Sequence, residues 1–432
     1  MPVIPRDGFD GTIALARDPY RFIAEHCRRH GGDLFRTRIL LRETICVTGP
    51  RAAAMFYTSD HLIRAGAAPG RVQKTLFGVG GVQGLDGEAH RHRKRMFMSL
   101  MTPERIAALA RLSVEAWHTW AERWAALRQV QLYGEVRELL ASVVCWWAGV
   151  QVAPRELPAR ARQLTALFDA AGAMGPRHWW ARLERRRVDR WIADVIERIR
   201  AGDEEPPEHS AARVVAWHRE LDGSLLPPRV AAVELLNVLR PTVAVSVYLV
   251  FVAHAFHAHP GWRRKLAAAP DEWTEPFVQE VRRAYPFFPS VVARVRDEFR
   301  WHGYRFPRGT RVMLDLYGTN HDARAWRHPR DFRPERFVGR RIGAFELVPQ
   351  GGGDADRQHR CAGERITIEL MKVAARFLAR SLAYAVPPQD VDVDLARLPA
   401  MVRSGFVMTN VRPMTALHVK TRPRDDTAAH GG

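Results

Sequence analysis

Residues 229–257 constrain the fold more than any other part of the chain. From 242 to 256 they are apolar on almost every side, so a helix there must be covered all round by protein or by lipid. That run is shorter than the roughly 20 residues a spanning helix needs, and it follows Arg240-Pro241. A buried core helix is the expectation. Pro241 lacks an amide hydrogen and predicts a kink. Arg240, one residue earlier, costs free energy inside an apolar helix unless an anion meets it.

Periodic apolar residues predict further helices at 103–127, 136–150, 187–199, 274–285 and 361–381. Segment 34–47 alternates well enough for a hairpin. Residues 304–306, Pro307-Arg308-Gly309 and 310–316 read as strand, turn, strand. Pro286 stops the helix before it. The 13 Trp and 19 Phe supply ample burial. The expectation is a mainly α fold with a minor β portion, a single domain over residues 1–421, and a disordered tail at 422–432.

The formal charge of +19 raises nucleic acid and anionic lipid as partners. Of the 66 basic residues only five are Lys, and the Arg are dispersed apart from short clusters such as Arg185-Arg186-Arg187. No zinc-finger spacing, recognition-helix pattern or aromatic–basic interleaving accompanies them. Nucleic-acid binding is disfavoured, while peripheral contact with a membrane surface stays open. Cys27, Cys46, Cys145 and Cys361 form no CxxC pair and no disulfide-like framework. The first residues lack the apolar run of a signal peptide. A reduced, cytoplasmic setting is expected.

The chemistry concentrates in Pro349-Gln350-Gly351-Gly352-Gly353-Asp354 and His359-Arg360-Cys361-Ala362-Gly363-Glu364. Glycines let backbone approach a flat ligand closely. Cys361 falls where a helix is predicted to start, and the helix dipole and free amides there favour the thiolate that binds metal. Gly363, just inside that helix, leaves room for a flat ring. Upstream, Glu280 and Arg283 sit three apart on one helical face and can pair. Arg336, in Phe332-Arg333-Pro334-Glu335-Arg336-Phe337, can close a buried triad with them.

This triad ahead of a Gly-rich Cys loop resembles the cytochrome P-450 superfamily, in which Glu-x-x-Arg and a later Arg prop the thiolate loop. Two features depart from its common pattern. The loop has Asp354 seven residues before the Cys, where a Phe is usual, and the central helix lacks the acid–Thr pair that relays protons. Arg240-Pro241 instead resembles the bacterial fatty-acid peroxygenases. That similarity runs from Asp7 to Met408 and includes Arg71-Val72-Gln73-Lys74-Thr75-Leu76-Phe77-Gly78, Leu85-Asp86-Gly87-Glu88-Ala89-His90 and Gly175-Pro176-Arg177-His178-Trp179.

The resemblance implies haem b between the central helix and the Cys-loop helix, with Cys361 as axial ligand and Gly353, Arg360 and Gly363 against the cofactor. It implies hydrogen peroxide as co-substrate, without flavin, NADPH or a reductase partner. Arg240, beside Pro241, is expected to hold a long-chain fatty acid by its carboxylate, which then serves as acid and base. Oxygen is expected at the α or β carbon. Gln83 aligns with a position over the haem where some members carry His and release terminal alkenes. Gln donates no proton as imidazolium does, so hydroxylation is expected to dominate. His90, His92, Arg93 and Lys94 are the expected propionate contacts, with Arg64 and Lys74 as weaker candidates. Phe77, Phe168, Phe287, Phe288 and Val292 are the expected pocket walls. Three alternatives remain at this point: a decarboxylase, a reductase-dependent monooxygenase and a non-catalytic haem sensor.

Overall fold

The structure, a computed structural model, describes residues 2–173 and 175–414. Its spine is a helix spanning Pro228–Ala258, 31 residues long. Four residues after Pro241 the helix is interrupted at Val245, whose amide turns to the Thr242 carbonyl at 3.2 Å. Length and apolar character would let this helix cross a bilayer, which corrects the short span read from 242–256. The helix is nevertheless wrapped in protein. Leu235, Leu236, Leu239, Tyr248, Leu249 and Phe251 are fully buried, each contributing roughly 1.5–3 kcal/mol of transfer free energy.

The wrapping comes from helices Leu132–Ala148, Leu157–Asp169, Pro176–Ala201 and Glu364–Arg380. The Pro176–Ala201 helix starts well before the predicted 187–199, on Pro176 at its first turn, and ends at left-handed Gly202. Arg-rich residues 177–187 lack a clean apolar stripe, yet Arg is a good helix former. Helix Gly87–Ser99 was not legible for the same reason: its surface is polar and basic.

A five-stranded sheet stands beside the helices. Strands Leu34–Ile39 and Arg42–Val47 form the predicted hairpin, turned by Leu40 and Leu41 at φ 53° and 60°. Arg42–Val47 then pairs in parallel with Arg311–Asp315, which pairs antiparallel with Ser290–Val295. Strand Tyr304–Phe306 belongs elsewhere, paired with Phe299–Trp301. The two segments read as strand, turn, strand therefore do not face each other. Every residue of Arg311–Asp315 is buried, as suits an interior strand with neighbours on both edges. The architecture is mainly helical with a minor β portion, as expected. The tail at 422–432 lies outside the described residues.

Candidate active site

The Cys361 amide donates to the Gln350 carbonyl at 3.0 Å, which ties the residue to the loop. The helix therefore begins at Glu364 with Gly363 as its N-cap, so Cys361 and Gly363 precede the first turn rather than lying in it. Gly351 takes φ 97°, and a Cβ there would lie 2.9 Å from the Tyr57 hydroxyl and 3.2 Å from the Arg360 Cα. Only glycine fits that close approach. A Cβ on Gly363 would meet only the Cys361 sulfur, at 4.0 Å. That open flank beside the sulfur suits a flat macrocycle.

Asp354 replaces the aromatic of the common loop without leaving it bare. Its carboxylate accepts from the amides of Asp356 (2.7 Å) and Arg357 (3.2 Å), shaping a turn. The ring over the loop comes from Phe345, 3.1 Å from where a Cβ on Gly352 would stand. Arg360 reaches the Gly353 carbonyl at 3.0 Å.

Burial pushes the Cys361 thiol above its ordinary value, while Lys94 and Arg282 oppose that rise. The lowering expected from a helix N-terminus is thus overturned, because desolvation penalises an isolated thiolate more than the dipole helps it. A metal cation removes that penalty by deprotonating a coordinating thiol.

The predicted triad is assembled. Arg283 meets Glu280 through two bonds of 2.7 and 2.8 Å, with both side chains 0% exposed, and Arg336 reaches the same carboxylate at 3.2 Å. Arg283 also donates to the carbonyls of Asn320 and Pro329. Beside it lies a network the sequence reading missed. Arg282 pairs with Glu364 and donates to Gln350 at 3.2 Å, and Arg360 bonds Glu364 at 2.5 Å. Burial would raise the Glu364 carboxyl, but Arg282 and Arg360 hold it below its usual range. The only signal in the sequence was an acid in the first turn of the Cys helix and an Arg adjacent to Arg283.

The basic candidates divide by helical face. His90 and Lys94, four apart on Gly87–Ser99, both turn inward. Lys94 donates to the Arg360 carbonyl, next to the Cys loop. His90 stacks on His359 with ring centroids 3.8 Å apart, and burial brings its pKa down to about 3. It offers a neutral donor, so the charge here belongs to Lys94 and Arg64. Arg64 lies over the Phe56 ring at 4.2 Å and loses basicity by burial. His92 and Arg93 are not brought into this cluster. His92 bonds the Arg219 carbonyl at 2.7 Å, and Arg93 pairs with Glu234 (2.5 Å) and Glu220. Lys74 is exposed.

Arg240 is 5% exposed, and its one hydrogen bond among the described residues goes to the Leu76 carbonyl. Burial, then Arg185, brings its pKa down to about 9, while Cys361 and Glu234 oppose. The guanidinium is thus within electrostatic reach of the sulfur and bonded to no carboxylate. The Thr242 hydroxyl donates to the Val238 carbonyl at 2.9 Å and is occupied within its helix. Gln83 accepts from Asn237 at 3.1 Å. Asn237 in turn bonds Glu234 at 2.8 Å, which connects Gln83 to the central helix. Phe77 and Gln83 share a cleft with Arg64 and Gln73. Phe287 stacks on Tyr248 at 4.4 Å and meets Phe288 at 4.8 Å. Phe168 is fully buried in the helical core, and Val292 packs with Phe22, Phe35 and Met313 beside the sheet.

The Cytochrome P450 family profile matches residues 272–411. Among curated proteins, Cytochrome P450 3A17 of Cavia porcellus is 24% identical over 202 residues, which span 42% of this chain and 38% of that protein. Solved structures agree over far more of the chain. A variant of cytochrome P450SP alpha (CYP152B1) is 52% identical at TM-score 0.93, covering 94% of this chain and 100% of that one. Cytochrome P450EX alpha (CYP152N1), solved with myristic acid, is 40% identical at TM-score 0.93, covering 96% and 100%. A variant of cytochrome P450 OleT in complex with arachidonic acid is 36% identical at TM-score 0.92, covering 95% and 99%.

Proposed function

The chain belongs to the cytochrome P450 superfamily, in its CYP152 fatty-acid peroxygenase branch, and from that premise we propose that it uses hydrogen peroxide to hydroxylate long-chain fatty acids at the α or β carbon. It is an oxidoreductase of the haem-thiolate type. Cys361 would hold the iron, with Lys94 and Arg64 facing the propionates and the flank of Gly363 admitting the ring. A haem thiolate, when bound, would supply the electron density that favours O–O bond cleavage.

The observation that carries the proposal is Arg240, a buried guanidinium given a carbonyl but no carboxylate. A planar guanidinium holds an acid headgroup in a fixed orientation. The carboxylate so held is the group able to accept a proton from peroxide and return it to the oxygen that leaves as water. Peroxide supplies both oxidising equivalents, so acid and peroxide balance as hydroxy acid and water. No NADPH or reductase is needed. Among the described residues, Thr242 and Gln83 are not free to substitute for the carboxylate: the Thr242 hydroxyl is occupied, and Gln83 has its oxygen held by Asn237. A carboxylate pinned at Arg240 would also fix the position of the carbons next to it, which supports oxidation at the α or β carbon. An amide at Gln83 supports hydroxylation over decarboxylation, since it lends no proton.

Arg240→Ala tests this. It is expected to abolish peroxide-driven oxidation of a saturated long-chain acid while leaving the ferrous carbonyl spectrum unchanged. Undiminished activity in that variant would overturn the scheme.

A further inference from the structure

Arg240 does not have the Leu76 carbonyl to itself. Arg185, on helix Pro176–Ala201, is also buried, and its Nη1 donates to the carbonyls of Thr75 (3.2 Å) and Leu76 (3.3 Å). Its Nε is paired with Asp189 at 2.8 Å. Its Nη2 has no hydrogen-bond partner among the described residues. That nitrogen lies against Gly78, where an added Cβ would stand 2.3 Å from it, and Gly78 takes φ 88°. Two buried guanidiniums therefore converge on one neutral oxygen, with a single carboxylate between them. Buried like charges left short of counter-charge are costly. Among the described residues neither the Arg240 guanidinium nor Nη2 of Arg185 is bonded to a carboxylate.

We infer that Arg185 is a positioning residue for the acid headgroup. It fixes the 75–78 backbone that Arg240 leans on, and its charge makes the Arg240 site bind an anion more tightly. The inference rests on the reading of Arg240 as the carboxylate anchor and adds a second cation to it. Arg185 need not touch the acid. Its influence passes through the shared Leu76 carbonyl and through space, where Arg185 acts on Arg240 as a like charge.

The experiment is calorimetric titration of the haem-loaded enzyme with a long-chain acid and, separately, with the alcohol of equal length. Arg185→Gln should weaken acid binding about tenfold, while alcohol binding changes little. Arg185→Lys should restore most of the acid affinity. Asp189→Asn, which removes the compensating carboxylate, should tighten acid binding, and this arm stands even if Arg185→Gln fails to fold. Unchanged acid affinity in Arg185→Gln, or equal losses for acid and alcohol, would overturn the inference. So would unchanged affinity in Asp189→Asn. Arg240→Ala serves as the reference. If it retains acid affinity, the anchor reading itself fails and takes this inference with it. If it loses affinity while Arg185→Gln does not, only the inference about Arg185 fails.

Discussion

Arg283 and Arg240 are both buried guanidiniums in a largely apolar interior, yet their surroundings differ in kind. Arg283 has a bidentate carboxylate from Glu280 and carbonyls on its remaining donors. Arg240 has one carbonyl and a second cation nearby. The first region is closed in its hydrogen bonding: the Glu280 carboxylate and backbone carbonyls occupy the Arg283 donors. The second is open, and in the proposed function an acid headgroup completes it. An unpaired charge is tolerated where function requires it, and its surroundings carry the cost.

The largest effect expected from this contrast is in stability. Glu280→Ala leaves Arg283 and Arg336 without their carboxylate in the interior and should cost about 3–5 kcal/mol in denaturant unfolding of the haem-free chain. A change below about 1 kcal/mol would break the view of that region as closed.

Asp315 sharpens the contrast from the acidic side. It is buried, bonded to the Gly318 amide and the Thr48 hydroxyl, and burial raises its pKa to about 7. A carboxyl can shed its charge by protonation, which Arg does far less readily. Because the folded pKa lies above the ordinary 3.8, the folded state binds a proton that the unfolded state releases. The contribution is fully present below about pH 4 and is lost as pH rises through about 7. Stability should therefore fall across that window in the wild type and less so in Asp315→Asn, as read from unfolding midpoints at pH 5 and pH 8. Parallel pH curves for the two proteins would contradict this.

A smaller stability effect is expected at Arg240 itself. Arg240→Met removes a charge that lacks a carboxylate partner and should leave stability within about 1 kcal/mol of wild type, or raise it. A loss as large as that of Glu280→Ala would mean Arg240 is part of the scaffold. The smallest effect concerns products. Gln83→His should shift some product from hydroxy acid to terminal alkene without changing acid affinity, as measured by chromatography of the reaction mixture. An unchanged product ratio would remove Gln83 from the chemistry.

The features legible in the sequence share one property: their partners are close in the chain or their chemistry is unusual. Glu280 and Arg283 are one helical turn apart, and Arg240-Pro241 is conspicuous in an apolar run. The 34–47 hairpin follows from alternation alone. What stayed hidden depends on distant segments. Arg282 finds Glu364 across 82 residues, and Arg93 finds Glu234 across 141. Nothing local to the 90–94 stretch says that Arg93 leaves the cluster while Lys94 joins it. The Cys361 thiol was misjudged for a related reason. A helix dipole is local and visible, whereas the burial of the thiol and the Lys94 and Arg282 charges that oppose its effect arise from segments distant in the chain.

In the proposed function an acid headgroup on Arg240 supplies the proton transfer for which Thr242 and Gln83 are not free. The most direct test of this compares peroxide-driven oxidation of a saturated long-chain acid with that of the primary alcohol of the same length by the wild-type enzyme. The acid should be converted to hydroxy acid and the alcohol left essentially unoxidised, even at concentrations that saturate the pocket. Oxidation of the alcohol at a rate comparable to the acid would contradict the account.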